Sequence, residues 1–143
     1  MITNKNQAEP NILHIASHMT LAPTVITEEV PVRIALQRMW EKRVRHLPVV
    51  VGDKVVGILS ERNLRAATFM TNAEEMTVKD AMIKEPYVVL PETNLVEVLK
   101  AMAENNYGSA MVQSKDHKIL GIFTTMDAVK LLIARFEDLA GQP

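Results

Sequence analysis

The chain has 143 residues, of which 48% are hydrophobic and 23% charged, a globular composition with enough apolar mass for a core. Lys and Arg number 16 against 17 Asp and Glu, so no charge excess draws the chain to nucleic acid or to an anionic membrane surface. With no cysteine, a polar N-terminus over residues 1–10 and no apolar run near the roughly 18 residues of a spanning helix, disulfide frameworks, thiolate metal sites, a signal peptide and a membrane span are all set aside, and a cytoplasmic location is expected.

From Met19 the chain reads MTLAPTVITEEVPVRIALQRMWEKRVRHLPVV. The β-branched run Val25-Ile26-Thr27 predicts a strand. Val32, Ala35, Leu36 and Met39 then fall at i, i+3, i+4 and i+7, one apolar face of a helix, with Pro31 at its first turn. The basic run Lys42-Arg43-Val44-Arg45-His46 follows, at the end of that helix. Leu47–Val51 and Val55–Leu59, separated by Gly52-Asp53, predict a β-hairpin, and a second helix closes the unit. A polar connector occupies residues 70–77.

From Met82 the same order begins again. Met19 lies on Met82, Pro23 on Pro86, Glu29 on Glu92, Leu36 on Leu99 and Met39 on Met102, at a constant offset (82 − 19 = 63). The strand is now Val88–Leu90, the helix face is Leu95, Val98, Leu99 and Met102, and Thr93 or Asn94 supplies the N-cap. The second hairpin joins Ala110–Val112 to Ile119–Phe123. The closing helix carries Val129, Leu132, Ile133 and Phe136 at helical spacing. The expected fold is α/β (α+β), two tandem β-α-β-β-α units packed face to face around a pseudo-twofold axis as one domain. The first unit is assigned residues 12–70 and the second 78–137, joined by a connector at 71–77, with tails at 1–11 and 138–143.

After the last strand of each unit comes a short motif: Gly121-Ile122-Phe123-Thr124-Thr125-Met126-Asp127 in the second, Gly57-Ile58-Leu59-Ser60-Glu61-Arg62-Asn63 in the first. Alone, Ser60 with Asn63 and Thr124 with Asp127 read as helix caps. The run 42–46 alone reads as cations at a helix C-terminus. His14 and His18 stand four apart, a spacing zinc uses, but no further ligand supports a metal site and none is expected. The methionines mostly recur on apolar helix faces as core or interface filling. No nucleophile with its base, paired carboxylates or Walker-type loop is present, so the reading is non-enzymatic.

The duplication and its paired Gly-apolar-x-Ser/Thr-x-x-Asp motifs resemble a stand-alone tandem pair of CBS domains, a Bateman domain, over roughly Ile12 to Phe136. The first motif departs from the pattern, with Asn63 in place of Asp. The resemblance implies two clefts between the units that take adenosine-containing ligands: AMP, ADP, ATP or another adenosyl compound, with Mg2+ if ATP, and no obligatory cofactor. In the cleft expected to bind better, Asp127 accepts from the ribose hydroxyls, Thr124 holds ribose or phosphate, Ile122 walls the adenine, and Thr24, Arg45 and His46 come from the first unit. The weaker cleft takes Ile58, Ser60, Asn63, Tyr87 and Ser109 and is expected to lack both the ribose carboxylate and a cationic phosphate partner. The resemblance also implies a homodimer, with Trp40 and Met102 at or near the contact, and an effector protein as a further partner. The competing reading is a ligand-independent dimerisation or assembly module with vestigial clefts.

Overall fold

The computed structural model describes residues 11–70 and 72–142; the expectations for residues 1–10, Thr71 and Pro143 lie outside the described residues. The elements are β1 (Thr20–Leu21), β2 (Ile26–Thr27), α1 (Val32–Lys42), β3 (His46–Val51), β4 (Lys54–Ser60), α2 (Glu61–Ala67), α3 (Val78–Ala81), β5 (Ile83–Lys84), β6 (Val88–Val89), α4 (Leu95–Asn105), β7 (Ser109–Gln113), β8 (Ile119–Thr124) and α5 (Thr125–Ala140). They form two four-stranded sheets of matching order, β5-β4-β3-β2 and β1-β8-β7-β6. In each sheet the central pair is the antiparallel hairpin, and the unit's first strand joins it in parallel. The mixed α+β architecture and the internal pair are as expected.

The outer strand of each sheet comes from the other half of the chain. β1 pairs antiparallel with β8, Thr20 opposite Ile122, and β5 pairs antiparallel with β4, Ile83 opposite Ile58. The residues just before these strands cross over as well. Ile15 N–H donates to Thr93 O at 2.8 Å and Leu95 N–H to Leu13 O at 2.7 Å. One repeat later, Val78 N–H donates to Val30 O at 2.8 Å and Val32 N–H to Met76 O at 3.0 Å. Ile15 is accordingly buried with Val98, Met102, Ala110, Val112 and Phe123 of the second unit, and Val78 with Ile26, Val32, Met39 and Leu47 of the first. A third cluster, Ile58 with Met111 and Ile122, joins the two units.

This exchange explains the glycine of each motif. A Cβ on Gly121 would lie 2.8 Å from Thr20 O and 2.5 Å from Met19 Sδ; on Gly57 it would lie 2.9 Å from Ile83 O and 2.6 Å from Met82 Sδ. The methionine sulfur can swing away, but the carbonyl is fixed by the ladder. Gly121→Ala should therefore cost about 1–3 kcal/mol, the range for overpacking a close contact, measured as a lower urea midpoint.

The helices start and stop as local chemistry dictates. Asn94 caps α4, its Oδ1 accepting from Val96 N–H at 2.8 Å and Glu97 N–H at 3.3 Å, and Pro31 immediately precedes α1. Both helices end in a left-handed residue at the same repeat position, Arg43 (φ 55°) and Asn106 (φ 57°), which turns the chain into the next strand. A second left-handed pair, Ala22 (φ 46°) and Glu85 (φ 55°), kinks the chain just after each exchanged strand. α5 buries only one edge of its apolar face. Ala128 and Leu131 pack on the second unit, whereas Val129, Leu132, Ile133 and Phe136 are exposed.

Candidate functional site

A cavity of about 450 Å³ opens between the units, within the size of small-molecule sites. The first unit supplies Arg45 and His46 before β3, Ile58 and Ser60 from β4, and Glu61, Arg62 and Asn63 from the start of α2. The second supplies Ile83, Glu85, Pro86 and Tyr87, the turn Asn106–Ser109, and Thr125 at the start of α5. The cavity thus spans the pseudo-twofold axis, because it holds the turn before the hairpin, and the first residue of the closing helix, from both units. His46 packs against Gly108 at that axis, where a Cβ would stand 3.0 Å from the imidazole Nε2.

Its walls are chemically divided. Ile58 and Ser109 are buried, and Tyr87 stacks on Tyr107 with ring centroids 5.0 Å apart and planes 19° from parallel. This is a flat aromatic and apolar surface. Opposite chemistry comes from two cations. Arg62 sits at the start of α2, and Arg45 lies beside Glu61, Nε to Oε2 at 3.7 Å. The tighter partner of Glu61 is Arg65, whose Nη2 reaches Oε1 at 2.7 Å, so Arg45 is only loosely held and remains available to an anion.

Both motifs form helix capping boxes, with Ser60 and Thr124 as N-caps, as their spacing alone suggests. Ser60 N–H and its hydroxyl donate to Asn63 Oδ1, the former at 3.3 Å, and Asn63 N–H donates back to Ser60 Oγ at 3.1 Å. Thr124 N–H and hydroxyl donate to Asp127 Oδ2 at 2.8 and 3.2 Å, and Asp127 N–H donates to Thr124 Oγ1 at 3.4 Å. The caps leave different groups over. With Oδ1 occupied, Asn63 offers its amide NH2, a donor; Asp127 keeps Oδ1, an acceptor with no partner among the described residues.

Of the residues expected in the weaker cleft, Ile58, Ser60, Asn63, Tyr87 and Ser109 are brought together in this cavity. The expectation that this cleft lacks a cation is corrected: Arg45 and Arg62 line it, with His46 beside them. The reason is the ladder. His46 pairs with Ser60, and Glu61 N–H donates to Arg45 O at 2.9 Å, so the basic turn is tied to the start of its own unit's α2. Arg62 falls at an unspecified position of the motif, and Tyr107 in a turn noted only for lacking charge, so neither stood out in the sequence. Ile122 is buried against Ile58 and Met111, and Thr24, Thr124 and Asp127 are half-buried. Met102 is buried in the second unit's core and is withdrawn from any intermolecular contact, while Trp40 is 68% exposed. His14 and His18 flank a single 3-10 turn, and His18 Nε2 contacts Ile12 O at 2.6 Å; among the described residues no group of three or more potential metal ligands occurs.

Burial, and then the neighbouring Arg45, hold the His46 pKa below 6.5. The unfolded chain therefore takes up a proton before the native protein does. Stability should be lost as pH falls below the unfolded value near 6.5, down to the native pKa. Urea unfolding between pH 7.5 and 5 should show this decline, and His46→Gln should remove its part of it.

The CBS domain family model matches residues 14–69 and 78–134. Among solved structures, a candidate acetoin utilization protein (AcuB) from Vibrio cholerae is 26% identical, with 93% of this chain and 100% of that chain covered and a TM-score of 0.78. CBSX2, a CBS-pair protein of Arabidopsis thaliana solved in complex with AMP, is 27% identical, with coverage of 85% and 96% and a TM-score of 0.76. The CBS domain pair of MJ0100, solved with 5'-methylthioadenosine and S-adenosyl-L-methionine, shares the fold at 19% identity, coverage of 87% and 99% and a TM-score of 0.80. An inosine-5'-monophosphate dehydrogenase of Korarchaeum cryptofilum is 32% identical over 76% of this chain. The chain spans 21% of that enzyme's length and 32% of the similar Methanocaldococcus jannaschii protein MJ1232. Among the described residues no helix is long and apolar enough to cross a membrane.

Proposed function

The chain belongs to the CBS domain family as two units in tandem, and we propose that it is a non-enzymatic regulatory module that binds an adenosine-containing ligand between those units. The observation that carries this reading is the cavity between the units, lined by the stacked Tyr87 and Tyr107, by Ile58 and by two arginines. Stacking on Tyr87 and contact with Ile58 suit a purine. Arg45 and Arg62 suit phosphate oxygens, and Ser60 with the Asn63 amide suits the ribose. The related cleft on the Asp127 side uses Thr24, Ile122, Thr124 and the open Oδ1 of Asp127. By the pseudo-symmetry that places Gly108 and Ser109 beside Asn63, Arg45 and His46 border that cleft too. Binding changes the angle between the units only to the extent that affinity differs between two arrangements.

A thermal-shift and calorimetric screen of adenine, guanine and adenosyl compounds tests the proposal. At a ligand concentration of about 100 times the dissociation constant, an adenine nucleotide should stabilise the protein by about 2.7 kcal/mol. An equal response to guanine nucleotides contradicts adenine selectivity, and no response to any of them favours a ligand-independent assembly module.

A further inference from the structure

The two capping boxes act as an internal control for what each cleft presents to a sugar. In the second unit Thr124 N–H and hydroxyl donate to Oδ2 of Asp127, and Oδ1 remains as an acceptor. In the first unit Ser60 N–H donates to Oδ1 of Asn63 at 3.3 Å, and the Ser60 hydroxyl donates to the same atom. A backbone N–H fixes which end of the amide is the oxygen, so the group left over is the Asn63 NH2. The box is the same and the free chemistry is inverted.

That inversion decides what stands best beside each motif. A ribose hydroxyl donates to a carboxylate in a charge-assisted bond, whereas an amide NH2 offers it only a neutral one. A phosphoryl group is the reverse case. It is acceptor-only and carries about −1.5 to −2 charge, so an NH2 holds it and a carboxylate repels it. The rest of the cavity agrees. Arg45 and Arg62 line it, and of its two carboxylates Glu61 is held by Arg65 at 2.7 Å, which leaves Glu85 against two arginines. We propose that the Asn63 cavity selects a nucleotide phosphorylated on a ribose hydroxyl as well as at the 5' position, and that the Asp127 cleft selects one whose ribose hydroxyls are free. Given the adenosine reading above, on which this depends, Asn63 is a specificity-determining residue and the two clefts sort ligands by the state of the ribose.

Amide chemical shifts of the whole labelled protein, including the side-chain NH2 of Asn63, test the sorting in titrations with AMP, adenosine 3',5'-bisphosphate and adenosine 2',5'-bisphosphate. The signals of Ser60 to Asn63 should saturate at a roughly tenfold lower concentration of one or both bisphosphates than of AMP, and the Asn63 NH2 should move with them. The signals of Thr124 to Asp127 should show the opposite order. Asn63→Asp keeps the size and the cap of the residue, and should turn the first preference into the second. AMP saturating the Ser60 to Asn63 signals as readily as both bisphosphates overturns the sorting and leaves the adenosine reading standing. A preference unchanged by Asn63→Asp overturns it equally. No response to any of the three overturns both.

Discussion

Truncating Ile15 to alanine should lower the unfolding free energy by about 2–5 kcal/mol, the range for emptying a well-packed aliphatic site. Ile15 is fully buried, yet it belongs to neither the hairpins nor the long helices. Its side chain fills the core made by Val98, Met102, Ala110, Val112 and Phe123, more than eighty residues away in the chain. Its backbone is tied to the loop before α4 through Thr93. Loss of the side chain therefore weakens the second unit from a position at the start of the first. Because Val78 makes the reciprocal contact with the first unit, the two units should unfold in one transition. Urea titration followed by Trp40 fluorescence and by far-ultraviolet circular dichroism should give coincident curves for wild type and variant. Separated curves, or a loss below about 1 kcal/mol, would show that the exchanged segments do not couple the units.

The second large effect concerns the cations of the cavity. Arg45→Ala and Arg62→Ala should each weaken AMP binding roughly tenfold to hundredfold, corresponding to about 1.5–3 kcal/mol for a charge-assisted hydrogen bond. Adenosine, with no phosphate, should bind the variants almost as it binds the wild type. The contrast separates a phosphate partner from a residue that merely shapes the cavity, since a distorted cavity would lose both ligands. The two clefts separate in the same calorimetry. Asp127→Ala removes the open carboxylate oxygen from one, and Asn63→Ala removes the amide from the other. A larger loss from Asp127→Ala assigns the tighter event to the Asp127 side; a larger loss from Asn63→Ala assigns it to the cavity with the stacked tyrosines.

Much of the fold was legible because its signals are strong and local. The hairpins around Gly52-Asp53 and Ser114–His117 and the apolar faces of α1 and α4 follow from short-range periodicity. The exchanged strands were not legible. Thr20–Leu21 and Ile83–Lys84 are two residues long and exposed, and what makes them strands is a partner in the other unit. The stripe on α5 was legible as an amphipathic helix, but periodicity reports an apolar face without saying that Val129, Leu132, Ile133 and Phe136 stay exposed. At the site, the motif drew attention to Ser60, Asn63, Thr124 and Asp127, and each proves to form a capping box. The spacing that binds a ribose and the spacing that caps a helix are the same, so only the leftover Oδ1 of Asp127 and amide of Asn63 distinguish them. Arg62 escaped notice because a pattern marks it as unrestricted, while its place at the start of α2 puts it on the cavity wall.

The most direct test of the central claim is a titration of the isotopically labelled protein with AMP, and separately with GMP, followed by amide chemical shifts. The account predicts saturable changes with AMP centred on Ser60 to Asn63, Glu85, Tyr87 and Gly108 to Ser109, extending to Thr124 and Asp127 if the second cleft fills, and far smaller changes with GMP. Saturable changes confined to surfaces away from both clefts, or none at all with AMP, would contradict it.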